Sequence, residues 1–286
     1  MSAGVLILAP GSPGAGARLH RTSWMPQGEP KAVVVLAHGY AEHAGRYEHV
    51  AARLTAAGYA VHALDHWGHG KSDGEPGYVP AFGAYTDGLD TLLHAVDAEH
   101  PRLQRFLIGH SMGGLVSVLH LLERQGQYAG AVLSGPAIVP AEAPSRLMMW
   151  ISRILSRLAP RLGVLQLDAA AISRDPAVVA AYLADPLVYT GKIGARLGGE
   201  MFLAMERARA GAVRLKLPLL LLHGADDRLT APAGSQFLEQ HVSSSDRTLR
   251  LYPGLYHEIF NEPERERVLD DVVAWLDSHC TRGTLQ

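Results

Sequence analysis

Ser111 lies in Gly109-His110-Ser111-Met112-Gly113, a G-x-S-x-G pentapeptide. A serine hydroxyl is a poor nucleophile and becomes a good one only beside a base that is itself oriented by an acid. Two downstream stretches can supply these partners. Gly224-Ala225-Asp226-Asp227-Arg228 follows the apolar run 219–222, which puts a carboxylate just beyond a strand. Pro253-Gly254-Leu255-Tyr256-His257-Glu258 follows a second strand-like run and carries His257. Nucleophile, acid and base, in that chain order and each on a loop after a strand, are a known arrangement for acyl transfer. Asp226 and Asp227 compete for the acid role. Asp227 is preferred, and Asp226 is read as capping a turn. The tetrahedral oxyanion needs two backbone donors. Met112, the residue after the nucleophile, supplies one. The loop His38-Gly39-Tyr40 supplies the other, through the Tyr40 amide, while His38 is read as a structural histidine fixing that loop.

These side chains need a scaffold that brings them to one edge. The run 31–37 is continuously β-branched and alanine-rich, as in a strand buried on both faces. Residues 18–25, 59–64, 106–108, 130–134, 215–223 and 248–252 read as further strands. Helical patterns follow through Tyr47, Val50, Ala51 and Leu54, over 82–100, after Ser111, near 234–241 and over 263–278. This alternation implies right-handed βαβ units and a mostly parallel sheet with flanking helices, whose ligands sit at the carboxyl ends of the strands. From about Pro140 the alternation stops. Residues 141–215 read as an all-helical cap inserted into one discontinuous α/β domain, 17–140 and 216–280. In its segment 145–159, Leu147, Met148, Trp150, Ile151, Ile154, Leu155 and Leu158 form an apolar stripe, with Arg146, Arg153 and Arg157 on another face. Residues 1–16, rich in Gly, Pro, Ser and Ala, read as a mobile leader.

A formal net charge of −2 over 286 residues implies no broad attraction to nucleic acid. One cysteine, Cys280, allows no intrachain disulfide and fits a reducing compartment. The apolar stretch at 5–10 is shorter than a signal-peptide core, and no run approaches the roughly 18 apolar residues of a membrane span. A cytoplasmic protein is expected, with peripheral membrane contact through the cap. His38 to His43 is one residue too long for H-x-x-E-H, and the stretch from His257 to Asn261 lacks the second histidine of H-E-x-x-H, so no metal is expected. Asp65 stands where a phosphate loop ending in Gly70-Lys71-Ser72 would need glycine, and no dinucleotide fingerprint follows a strand. No cofactor is expected.

The chain resembles the bacterial monoacylglycerol lipases of the α/β-hydrolase fold. The resemblance is densest in HGYAEHAGRY (38–47), LDHWGHGKSDG (64–74), GHSMGG (109–114), DPLVY (185–189), HGADDRL (223–229) and the stretch 252–276. It implies Ser111 as nucleophile, Asp227 as acid and His257 as base, with Tyr40 and Met112 amides as the oxyanion hole. It implies Glu42 and Arg46 near the glycerol-accepting end, the alternative being a charge pair tying a helix start to its neighbour. Tyr182 matches a cap tyrosine that approaches the glycerol head, the alternative being a core tyrosine. Animal relatives carry a second histidine three residues after the catalytic one, where this chain has Phe260. The expected activity is hydrolysis of monoacylglycerol to glycerol and fatty acid through an acyl-serine. The other readings are a lysophospholipase or broad carboxylesterase, a cofactor-independent haloperoxidase, and a non-catalytic binding protein on the same fold.

Overall fold

A computed structural model describes residues 1–140 and 154–281. Its centre is an eight-stranded sheet in the order β1-β2-β4-β3-β5-β6-β9-β10. The strands are β1 (Ser2–Ile7), β2 (Arg18–Trp24), β3 (Ala32–Ala37), β4 (Tyr59–Leu64), β5 (Arg105–His110), β6 (Gly130–Ser134), β9 (Leu219–Gly224) and β10 (Arg247–Tyr252). From β4 to β10 all neighbours run parallel, while β1 and β2 form an antiparallel edge. Every residue of β3 and β4 is buried. Successive side chains of β3 enter opposite cores, because a strand alternates faces. Val33 and Val35 join Leu89, Leu92, Leu115 and Val118, from α2 (Gly83–Glu99) and α3 (Met112–Arg124). Val34 and Leu36 join Val50 and Leu54 of α1 (Glu48–Ala56) and the last helix, Arg265–His279, through Val268 and Trp275.

Two expectations are corrected. Ser2–Ile7 is not part of a mobile leader but the edge strand β1, in register with β2 from Ser2↔Ser23 to Ile7↔Arg18. Its largely exposed face carries no burial pattern, so sequence periodicity had nothing to report. The cap is not all helical. Gly163–Leu165 (β7) pairs antiparallel with Ile193–Gly194 (β8), strands of three and two residues that fall below any periodicity window. The cap helices α4 (Pro176–Ala184) and α5 (Ala195–Gly211) flank β8, and Leu197, Ala204, Met205 and Ala208 of α5 are continuous with the core of the sheet.

Most of the expected stripe and basic face at 145–159, including Met148, Arg146 and Arg153, lies outside the described residues. Residues 154–158 are helical, with Leu155 half-buried and Arg157 and Leu158 exposed. Among the described residues no helix is long and apolar enough to cross a membrane.

Candidate active site

Strand β5 ends at His110 and α3 begins at Met112, so Ser111 alone makes the turn between them, with φ 53° and ψ −119°. A side-chain-bearing residue pays strain there and holds the conformation only because its surroundings impose it. The flanking glycines show why. A Cβ on Gly109 would lie 2.3 Å from Ser117 Oγ, and one on Gly113 would lie 2.2 Å from the Ala37 carbonyl oxygen. The amide of Ser111 donates to Ser134 O at 2.9 Å, and its carbonyl accepts from Leu115 and Ala137. Backbone close approach on three sides thus sets the pose of the hydroxyl.

His257, on the loop after β10, sits 2.8 Å from Ser111 Oγ through Nε2 and 2.7 Å from Asp227 Oδ2 through Nδ1. The Asp227 side chain is sealed from solvent. Its Oδ1 accepts the amides of Leu229 and Thr230, at 2.8 and 3.0 Å, and its Oδ2 faces Thr230 Oγ1 at 2.9 Å and His223 Nε2 at 3.1 Å. Burial would push this carboxyl up. The charge of His257 and hydrogen bonds from His223 and His257 outweigh burial and hold it well below the carboxylate range. Asp226 is exposed, and its amide donates to Leu255 O at 3.0 Å, so it shapes the loop without meeting His257. Burial likewise pulls His257 down, but the Asp227 carboxylate, with smaller help from Glu258 and Glu42, raises it above the ordinary value. His110, whose ring centroid is 4.7 Å from that of His257, is pushed well down by burial and by His257, so no second cation opposes the first.

His257 accepts a proton only when neutral, and its affinity for a proton is raised. Activity should fall as pH drops through a midpoint above the ordinary histidine value of about 6.5. A kcat/KM profile on a soluble ester measures it, and an acid midpoint near 5 would contradict the Asp227 contact as its source.

The loop after β3 reaches Ser111 directly: a Cβ on Gly39 would stand 3.2 Å from Ser111 Cβ. His38 holds this loop. Its Nε2 accepts the His66 amide at 2.9 Å, which places the ring proton on Nδ1, 2.7 Å from Gly39 O. Met112 opens α3, so its amide is one of the first-turn donors that helix hydrogen bonding leaves over.

Glu42 and Arg46 meet, and both are engaged by protein groups. Glu42 Oε1 accepts the Gly39 amide at 2.6 Å and the Tyr47 hydroxyl at 2.7 Å. Arg46 Nη1 donates to Glu42 Oε2 and Glu258 Oε1, and Nη2 to Glu258 Oε2, each at 2.7 Å. Its guanidinium lies 4.8 Å from the centre of the Tyr182 ring. Burial pushes the Glu42 carboxyl up against the pull of Arg46. This network ties the loop beside Ser111 to the residue after His257. Glu258 was not singled out from sequence, although its adjacency to His257 was the available signal. Phe260 is packed in the core beneath the loop.

Two hollows meet at Ser111 and His257. One, of about 370 Å³, is lined by apolar side chains that include Met112, Leu155, Val164, Met201, Phe202 and Met205. The other, of about 30 Å³, is lined by Glu42, Asp168, Tyr182 and Glu258. Ser111 therefore sits between a large greasy space and a small acidic one.

Among the described residues, one group of possible metal ligands, His62, Glu99 and His100, has its donor atoms within 4.8 Å of one another. Its wiring disfavours a cation. Arg21 donates to both Glu99 oxygens at 2.6 Å and lies 2.8 Å from His62 Nδ1. Arginine only donates, so Nδ1 accepts and the His62 proton is on Nε2, facing His100 Nε2 at 3.3 Å. Burial, Arg21 and His100 together depress His62 to about 3.

The family model described as serine aminopeptidase, S33 matches residues 28–264. The chain is 46% identical over 264 residues to the monoacylglycerol lipase of Mycolicibacterium smegmatis, covering 92% of this chain and 94% of that protein. It is 34% identical to the human monoglyceride lipase, covering 91% and 88% of the two chains. The crystal structure of the Paleococcus ferrophilus monoacylglycerol lipase superposes with a TM-score of 0.83 at 35% identity, covering 91% of this chain and 99% of that one.

Proposed function

Since the chain belongs to the family described as serine aminopeptidase, S33, and has the α/β-hydrolase fold, we propose that it cleaves monoacylglycerols to glycerol and a free fatty acid. The observation that carries this reading is the large apolar hollow ending at a hydroxyl already hydrogen-bonded to an imidazole. An acyl chain entering it leaves water, and each buried CH₂ contributes about 0.8 kcal/mol. The relatives named above as monoacylglycerol lipases support the ester class.

In this reading Ser111 Oγ attacks the ester carbon as His257 Nε2 takes its proton across 2.8 Å. Asp227 holds the imidazole in the right tautomer and stabilises the imidazolium. The amides of Tyr40 and Met112 receive the oxyanion. The imidazolium then protonates the departing glycerol oxygen, and a water, deprotonated by the same nitrogen, releases the fatty acid from Ser111. Glu42 and Tyr182 line the small acidic hollow and Arg46 holds Glu42 in place, so that a hydroxyl of a neutral polyol can meet the carboxylates there while an anionic phosphate is repelled. That hollow favours monoacylglycerol over lysophospholipid.

The same reading has the protein working in the cytoplasm and touching lipid surfaces through the cap. Leu158, Leu162, Leu165 and Leu203 there are 80%, 50%, 55% and 45% exposed. One panel tests both parts. Monooleoylglycerol should be cleaved at least tenfold faster than oleoyl lysophosphatidylcholine. Leu158→Asp should slow hydrolysis of vesicle-borne monooleoylglycerol while leaving a soluble short-chain ester at the wild-type rate. Preference for the lysophospholipid would overturn the substrate, and equal rates of the variant on vesicles would remove the cap contact.

A further inference from the structure

We propose that Glu262 is a positioning residue for His257, and that it acts by clamping the cap to the histidine loop. The inference rests on the role of His257 given above. The Glu262 side chain is fully buried and lines neither hollow at Ser111, so it acts through its neighbours rather than on substrate. Its Oε1 accepts two backbone amides, that of Tyr256 at 3.1 Å and that of Arg174 at 3.0 Å. Its Oε2 accepts Arg174 Nε at 2.9 Å. Tyr256 immediately precedes His257 in the chain, whereas Arg174 belongs to the cap.

The stitching continues on the other side of the histidine. The Glu258 amide donates to Ile172 O at 2.8 Å, and Ser173 Oγ donates to Asn261 O at 3.4 Å. Arg174 Nη2 reaches outward to Glu264. Cap residues 172–174 are therefore bonded directly to the backbone after His257 and, through Glu262, to the backbone before it. A buried carboxylate persists only when donors satisfy it, and here three N–H groups do so. Moving Arg174 means breaking these charge-assisted bonds or dragging the Tyr256 backbone with it. The cap segment and the catalytic imidazole thus move as one piece. Misplacement by about 1 Å can cost roughly a hundredfold in rate, so the clamp has leverage on catalysis.

Glu262→Gln is the test. Glutamine keeps an acceptor for the amides but turns a donor toward Arg174 Nε, where the carboxylate accepted. On soluble p-nitrophenyl butyrate, kcat should fall by about tenfold to a hundredfold with KM within twofold. The acid limb of kcat should move to lower pH, because a looser imidazole is held less firmly by Asp227. The charged and titratable groups around His257, namely Asp227, Glu258, Glu42, Arg46 and His110, are untouched by the change. Wild-type kcat and limb would overturn the proposal. So would a loss that appears as raised KM with the limb unmoved, since that describes a substrate-binding defect. Should Glu262→Gln fail to fold, Arg174→Gln decides. It leaves the carboxylate and both amides in place, and is expected to lower kcat about threefold to tenfold with the same limb shift; unchanged kcat and limb overturn the clamp. Wild-type protein that neither cleaves monooleoylglycerol nor reacts with a fluorophosphonate would defeat the functional reading itself, whatever the Glu262 variants do.

Discussion

Ser111→Ala should abolish labelling by a fluorophosphonate and lower kcat on monooleoylglycerol by about 10⁶-fold, leaving only what the oxyanion donors and binding contribute. The alanine keeps Cβ, so the strained turn at φ 53° and its backbone bonds persist and the thermal midpoint should barely move. Ser111→Gly makes the complementary point. It also removes the nucleophile, yet relieves a conformation that costs of order 1–3 kcal/mol for a residue with Cβ, against the roughly 0.5–1 kcal/mol that glycine loses in chain entropy. A dead enzyme more stable by about 1 kcal/mol is therefore expected. Folded Ser111→Ala protein that hydrolyses at the wild-type rate would end the acyl-serine mechanism.

Asp227→Asn should lower kcat by about 10⁴-fold near neutral pH, with folding preserved. Asparagine can still accept the amides of Leu229 and Thr230 through its oxygen, which leaves the amide nitrogen against His257 Nδ1. That nitrogen donates, so Nδ1 must accept and the ring proton moves to Nε2, where it blocks proton transfer from Ser111. The loss is one of tautomer, and burst kinetics on p-nitrophenyl butyrate should show it in acylation. Asp226→Asn, one residue earlier and exposed, should stay within twofold of wild type. A larger loss in Asp226→Asn than in Asp227→Asn would reassign the acid.

The two substitutions also mark where sequence reasoning was strong and where it stopped. The β-branched run of β3 read as a strand buried on both faces, and the glycines around Ser111 as room for the close approach that Ser117 Oγ and the Ala37 carbonyl now make. The order of Ser111, Asp227 and His257 on post-strand loops was visible for the same reason: it belongs to the covalent chain. What escaped was whatever had no local period or depended on distant partners. β1 is exposed on an edge, and β7 and β8 are too short to show a pattern. Glu42 and Arg46 could be read as a glycerol subsite or as a structural pair. Only their bonds to Gly39, Tyr47 and Glu258 reveal how fully protein groups engage them.

By itself, then, the sequence determined a mostly parallel α/β sheet and the placing of Ser111, the Asp226-Asp227 pair and His257 on loops after strands, because hydrophobic period, glycine placement and chain order are local properties. The tertiary structure alone decided which neighbouring aspartate faces the imidazole, how Glu262 joins cap to histidine loop, and that a greasy hollow and an acidic one meet at the nucleophile. Those depend on directions of side chains from segments 30 to 88 residues apart, and direction across space is set by packing, which no stretch of chain encodes on its own.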